Sequence, residues 1–76
     1  MMLPSIMPNP LIIETERESD GRWIAEVPRL PGTLGYGKTR KEAIERVQAL
    51  ALRVLADRIE HGETVPAVAR HFMVAA

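Results

Sequence analysis

Residues 11–27, LIIETERESDGRWIAEV, decide how the rest of the chain is read. The first part opens on β-branched residues and settles into alternation, and RWIAEV alternates again; both suit strands with one wet face. Between them, Ser19-Asp20-Gly21 has the make-up of a three-residue hairpin loop, with glycine where a left-handed backbone is required. Loop length sets register, so Glu18 is expected opposite Arg22, Thr15 opposite Ala25 and Ile13 opposite Val27. One face then carries Leu11, Ile13, Thr15, Trp23, Ala25 and Val27, with Trp23 under whatever covers the sheet. The other carries Ile12, Glu14, Glu16, Glu18, Arg22, Ile24 and Glu26. A two-residue loop would mix Trp23 with the glutamates, so the three-residue pairing is the more consistent.

Beyond the hairpin, Val27-Pro28 ends a strand, because proline brings no N–H to the ladder and restricts the residue before it. That does not explain why Leu30-Pro31-Gly32 follows at once. Residues 33–37, TLGYG, suit a brief third strand. Thr39 to Glu42, TRKE, is a capping box, so a helix should run from about Arg40 to Glu60, with Gly62 closing it. His61 near that end favours the helix dipole when protonated. The helix's apolar residues, from Ala43 to Ile59, span about 200° of its circumference, roughly twice the stripe of a surface helix. Residues 68–75, VARHFMVA, read as a last strand after a proline-marked loop.

The expected architecture is α+β, in the order β-β-β-α-β, with one long helix on one face of the sheet. Residues 1–10 read as an extended arm and 11–76 as a single domain; 76 residues leave no room for a second core. The sheet's second face and part of the helix stay open, which points to an interface and to a homo-oligomer, a dimer or tetramer. Ten basic and ten acidic side chains cancel, which argues against bulk nucleic-acid binding. The proline-broken N-terminus is neither a signal peptide nor a membrane span, so the expected location is cytoplasmic. With no cysteine, neither disulfides nor thiolate metal sites are available.

Taken together, these residues resemble the HicB-like antitoxin domain. The likeness runs from about residue 11 to 60 and rests on Asp20-Gly21, Trp23, alternating Ala25 and Val27, the turn Pro28-x-Leu30-Pro31-Gly32, Gly37, and the helix start Thr39-x-x-Glu42-Ala43. In that family the double-proline turn is the fixed corner between the second and third strands. The resemblance implies a partial RNase-H-like fold without nuclease activity. It also implies a role as the neutralising half of a toxin–antitoxin pair, whose toxin is a small basic ribonuclease. Many members add a C-terminal DNA-binding domain; this sequence departs from that pattern, so direct nucleic-acid binding is not expected.

The candidate partner surface is Glu14, Glu16, Ile24 and Glu26, with Leu34 and Tyr36 open between core and interface. An acidic face can compete with RNA phosphates for a basic partner and steer its approach; the plainer reading is a solvated sheet face. The same acids do not suggest a nuclease, since neighbouring same-face glutamates stand about 7 Å apart along a strand and do not converge on a metal pair. His61 and His71 sit on different elements, with no nucleophile or ligand set to join them. PGTLGYGK lacks the ending and spacing of a phosphate loop. The expectation is therefore no enzyme, cofactor, metal or membrane. The alternative to an antitoxin is an orphan oligomeric scaffold or small-ligand domain of the same fold.

Overall fold

A computed structural model of the chain describes residues 11–66. Strands β1 (Glu14–Arg17), β2 (Trp23–Glu26) and β3 (Leu34–Gly37) form an antiparallel sheet in the order β1-β2-β3, followed by helix α1 (Arg40–Glu60). This is the expected β-β-β-α arrangement. The expected arm and the expected last strand lie outside the described residues.

The hairpin has the expected register: Thr15 faces Ala25, Glu14 faces Glu26 and Glu16 faces Ile24. The Glu18 N–H donates to the Arg22 carbonyl at 2.7 Å, and Gly21 takes φ 91°, the conformation foreseen for that loop. The strands are shorter than the alternating pattern. The residues before β1 come opposite Pro28, which has no N–H to donate, while on the other side of β2 the Val27 N–H carries the pairing with β3 one step further, to the Thr33 carbonyl at 3.1 Å.

That hydrogen bond closes the proline corner and explains why two prolines stand so near each other. Val27 to Leu30 is one turn, with the Leu30 N–H on the Val27 carbonyl at 2.9 Å. Leu30 to Thr33 is the next, with the Thr33 N–H on the Leu30 carbonyl at 3.0 Å. Each turn has proline at its second position, where a fixed φ is an advantage, and Gly32 supplies the left-handed third position of the second at φ 86°. Leu30, shared by both turns, is completely buried.

Helix α1 begins and ends as expected. The Glu42 N–H donates to Thr39 Oγ1 at 3.1 Å. Glu42 in return accepts from the N–H of Lys38, one residue before the cap. At the far end the Glu63 N–H reaches the Arg58 carbonyl and the Gly62 N–H the Ile59 carbonyl, the paired bonds of a glycine-closed helix. Ala43, Val47, Ala51 and Leu55 face the sheet and join Ala25, Val27, Leu30 and Val65 in the core, with Leu11, Ile13 and Trp23 packed at its margin. Among the described residues no buried side-chain polar atom lacks a partner, and no helix is long and apolar enough to cross a membrane.

Candidate functional site: the outer face of the sheet

The helix covers one side of the sheet and leaves the other bare. Its contact with β3 is made against glycine. A Cβ on Gly35 would lie 2.8 Å from the Val47 nitrogen, and one on Gly37 2.6 Å from the Ala43 nitrogen. Since residues alternate along a strand, Gly35 and Gly37 facing the helix put Leu34 and Tyr36 on the outer side. Both are exposed, at 39% and 41%, so they belong to the open surface and not to the core.

Register assembles the outer face into rows. Glu14, Glu26 and Leu34 form one; Glu16, Ile24 and Tyr36 form the next. Glu18 and Arg22 stand at the hairpin end. All the residues expected there from sequence are therefore brought together on one surface, with Ile24 half-buried at its centre. Glu14, Glu16, Glu18, Ile24 and Glu26, with Thr15, line a shallow depression of about 540 Å³. An open acidic hollow suits cationic side chains projecting from a partner better than an apolar small molecule, which needs enclosure.

The charge on this face is uneven. Arg22 is held at the hairpin end, with its guanidinium Nε 2.8 Å from Asp20 Oδ2 and its Cζ 5.1 Å from the centroid of the Tyr36 ring. The Arg22 N–H also donates to Asp20 Oδ1 at 3.0 Å; this bond first, then the side-chain one, holds the Asp20 carboxyl below its usual 3.8. At the other end Glu14 and Glu26 face each other directly, with Glu16 beside them. Directly opposed like charges destabilise a strand pair by a few tenths of a kcal/mol to about 1.

Sequence reasoning missed two neighbouring features. Arg46 pairs with Glu42 at 3.3 Å, and its Nη1 also donates to the Tyr36 carbonyl at 2.9 Å, tying the helix to β3. Arg40 Nε reaches back to Thr15 Oγ1 at 3.1 Å. Neither contact has a local signal, because both join residues ten or more positions apart.

His61 has partners that were not placed from sequence, whereas His71 lies outside the described residues. The helix end brings Asp57, His61 and Glu63 together, with one ligand-type atom from each within 4.8 Å of the others and all three exposed. His61 Nδ1 donates to the Asp57 carbonyl at 2.7 Å and lies 3.4 Å from Asp57 Oδ1. That hydrogen bond first, then the Asp57 charge, raises the His61 pKa above its ordinary 6.5. A raised pKa contributes stability fully below the unfolded value and loses it as pH climbs through the folded one. The His61 ring resonances should therefore titrate with a midpoint above 6.5 in NMR. Asp57→Asn should bring the midpoint down; one at or below 6.5 in the parent chain would contradict the placement of Asp57.

The fold and site define a class: a small three-stranded sheet backed by one helix, offering a mixed acidic and apolar sheet face. UPF0150 protein Ta0767 of Thermoplasma acidophilum is 32% identical to this chain over 50 residues, covering 66% of this chain and 72% of that protein. The chain belongs to the UPF0150 family. No protein-family model matches it, and no solved structure does either.

Proposed function

We propose that this protein is a HicB-like antitoxin: a non-enzymatic cytoplasmic protein that binds a small basic ribonuclease toxin and blocks its RNA-binding surface sterically. Kinship with UPF0150, a family of the HicB-like antitoxin type, supports the reading. The observation that carries it is the Glu14–Glu26 pair, opposed across β1 and β2 with Glu16 alongside. Folding gains nothing from that arrangement, and a local rule broken without benefit to the fold is commonest where a surface serves a partner. Ile24, Leu34 and Tyr36 supply the apolar contact beside it, and the carboxylates supply attraction and steering.

The test begins with a tagged pull-down from the native cell and a mass for the intact complex. A stoichiometric small basic partner supports the antitoxin reading; recovery of this chain alone moves the assignment to an orphan domain. The acidic mechanism is tested by Glu14→Lys, Glu16→Lys and Glu26→Lys together. Reversal leaves position 14 facing a like charge at position 26, so the fold should keep its stability while affinity for the basic partner drops by about tenfold or more. Unchanged affinity in the folded triple variant would remove the acidic face from the mechanism.

A further inference from the structure

Asp20-Gly21 at the hairpin tip is the chain's single aspartyl–glycyl pair. In such a pair the backbone nitrogen of the glycine can close a succinimide ring on the aspartate carboxyl, because glycine has no side chain to crowd its own nitrogen. Nothing nearby hinders the approach here: a Cβ built on Gly21 would meet no atom within 4 Å, and the Asp20 side chain is 53% exposed. The chain's other aspartate, Asp57, is followed by Arg58 within α1, where the backbone N–H groups belong to the helix ladder.

In the folded loop each polar atom that ring closure needs is held. The Gly21 N–H donates to the Glu18 carbonyl at 2.9 Å. Asp20 Oδ1 accepts the Arg22 N–H at 3.0 Å, the usual bond of a turn aspartate to the residue two positions on, and Oδ2 accepts Arg22 Nε at 2.8 Å. The Arg22 guanidinium is steadied in turn over the Tyr36 ring, with Cζ 5.1 Å from its centroid.

We propose that Asp20-Gly21 is a covalent modification site, open to isomerisation to isoaspartate whenever the loop lets go, and that Arg22 is the residue that holds it shut. The Gly21 nitrogen attacks Asp20 Cγ; a C–N bond forms, a C–O bond breaks, and the carboxyl hydroxyl leaves with the amide proton as water. Water then opens the succinimide at either carbonyl, which restores aspartate or leaves isoaspartate. No oxidant, reductant or further reactant takes part. The attack needs a protonated carboxyl, since an ionised one has no hydroxyl to lose. The bond from the Arg22 N–H first, then the side-chain bond, keeps the Asp20 carboxyl below its usual 3.8 and so works against that form.

Isoaspartate routes the backbone through Cβ and Cγ, adding one atom to a loop whose length sets the register. Glu18 would no longer come opposite Arg22, and the row of Glu16, Ile24 and Tyr36 would lose its alignment. The modification is therefore a route by which the outer face of the sheet is lost as the protein ages. It does not rest on the antitoxin reading, because its readout is a chemical yield in this chain alone.

The full chain is incubated for weeks at neutral pH, folded and in guanidinium chloride, and then digested with trypsin. The fragment 18–22, or 18–29 when Arg22 is replaced, separates chromatographically into aspartyl and isoaspartyl forms of equal mass. The folded parent should accumulate isoaspartate about tenfold more slowly than the unfolded chain, the scale of hydrogen bonds to a charged group. Arg22→Ala should raise the folded rate about threefold or more, as suits an exposed charge-assisted bond, while circular dichroism shows the fold kept. Arg22→Lys retains a positive charge beside Tyr36 and drops only the Nε donor, so it disturbs the hairpin less and should also exceed the parent. A folded parent that isomerises as fast as the unfolded chain, an unfolded chain that forms no isoaspartate, or Arg22 variants no faster than the parent would each overturn the proposal.

Discussion

Gly35→Ala should destabilise the domain by about 2–3 kcal/mol, and Gly37→Ala by at least as much, in urea denaturation followed by circular dichroism. The sign is the opposite of what strand preference alone suggests, since glycine in a strand normally costs about 0.5–1 kcal/mol relative to alanine. Packing reverses it. A methyl group on Gly35 would stand 2.8 Å from the Val47 nitrogen and 3.2 Å from both the Ala43 oxygen and the Val47 Cα. On Gly37 it would stand 2.6 Å from the Ala43 nitrogen and 2.9 Å from the Glu42 Cβ. Most of those atoms are helix backbone, which has no rotamer to change, so relief requires lifting α1 off β3. Ala43 and Val47 are fully buried at that contact, so the lift opens the core as well as the join between α1 and β3. A domain this small has a stability of only about 5 kcal/mol, and the loss would remove roughly half of it. An alanine variant as stable as the parent would show that the helix does not rest on the β3 backbone.

The same contact marks the boundary of what the sequence discloses. The hairpin register and the ends of α1 are legible because each depends on neighbours in the chain: Ser19-Asp20-Gly21 sets one, Thr39 with Glu42 and Gly62 set the other. Once register is known, Glu14, Glu16, Ile24 and Glu26 must share a face, so most of the candidate site follows from local rules. Leu34 and Tyr36 stay open at that level. Their side depends on which residues of β3 the helix touches, and a glycine read alone signals a turn or a short strand as well as a close approach. The burial of Thr33 and Val65 and the bond from Arg46 to the Tyr36 carbonyl are non-local in the same way. The proline corner lies between these cases. Pro28 reads as the end of a strand and the resemblance makes the whole turn a fixed corner, yet two turns sharing Leu30 become visible only when both hydrogen bonds are in place.

That corner carries the second large effect. Leu30→Ala should cost about 3 kcal/mol, within the range for truncating a wholly buried leucine, through lost transfer energy and a cavity that its surroundings fill only in part. The site has little freedom to collapse. The Leu30 N–H is held by Val27 and its carbonyl by Thr33, so the backbone cannot follow a shorter side chain inward. Pro28→Ala supplies the contrast. Pro28 is exposed, and its loss frees only the unfolded chain and one turn position, so it should cost under about 1 kcal/mol. The ratio of the two separates alternative roles for the corner. If Leu30→Ala dominates, the corner works mainly as an anchor that drives a leucine under the helix, and the prolines shape the path to it. If Pro28→Ala costs as much, rigidity of the turn is the principal term. In either case the readout bears on the outer face, because the corner joins β2 to β3 and keeps Glu26 opposite Leu34. A loosened corner should blur that row, so heteronuclear spectra of Leu30→Ala should move the amide signals of Glu26 and Leu34 more than those of Glu16 in β1.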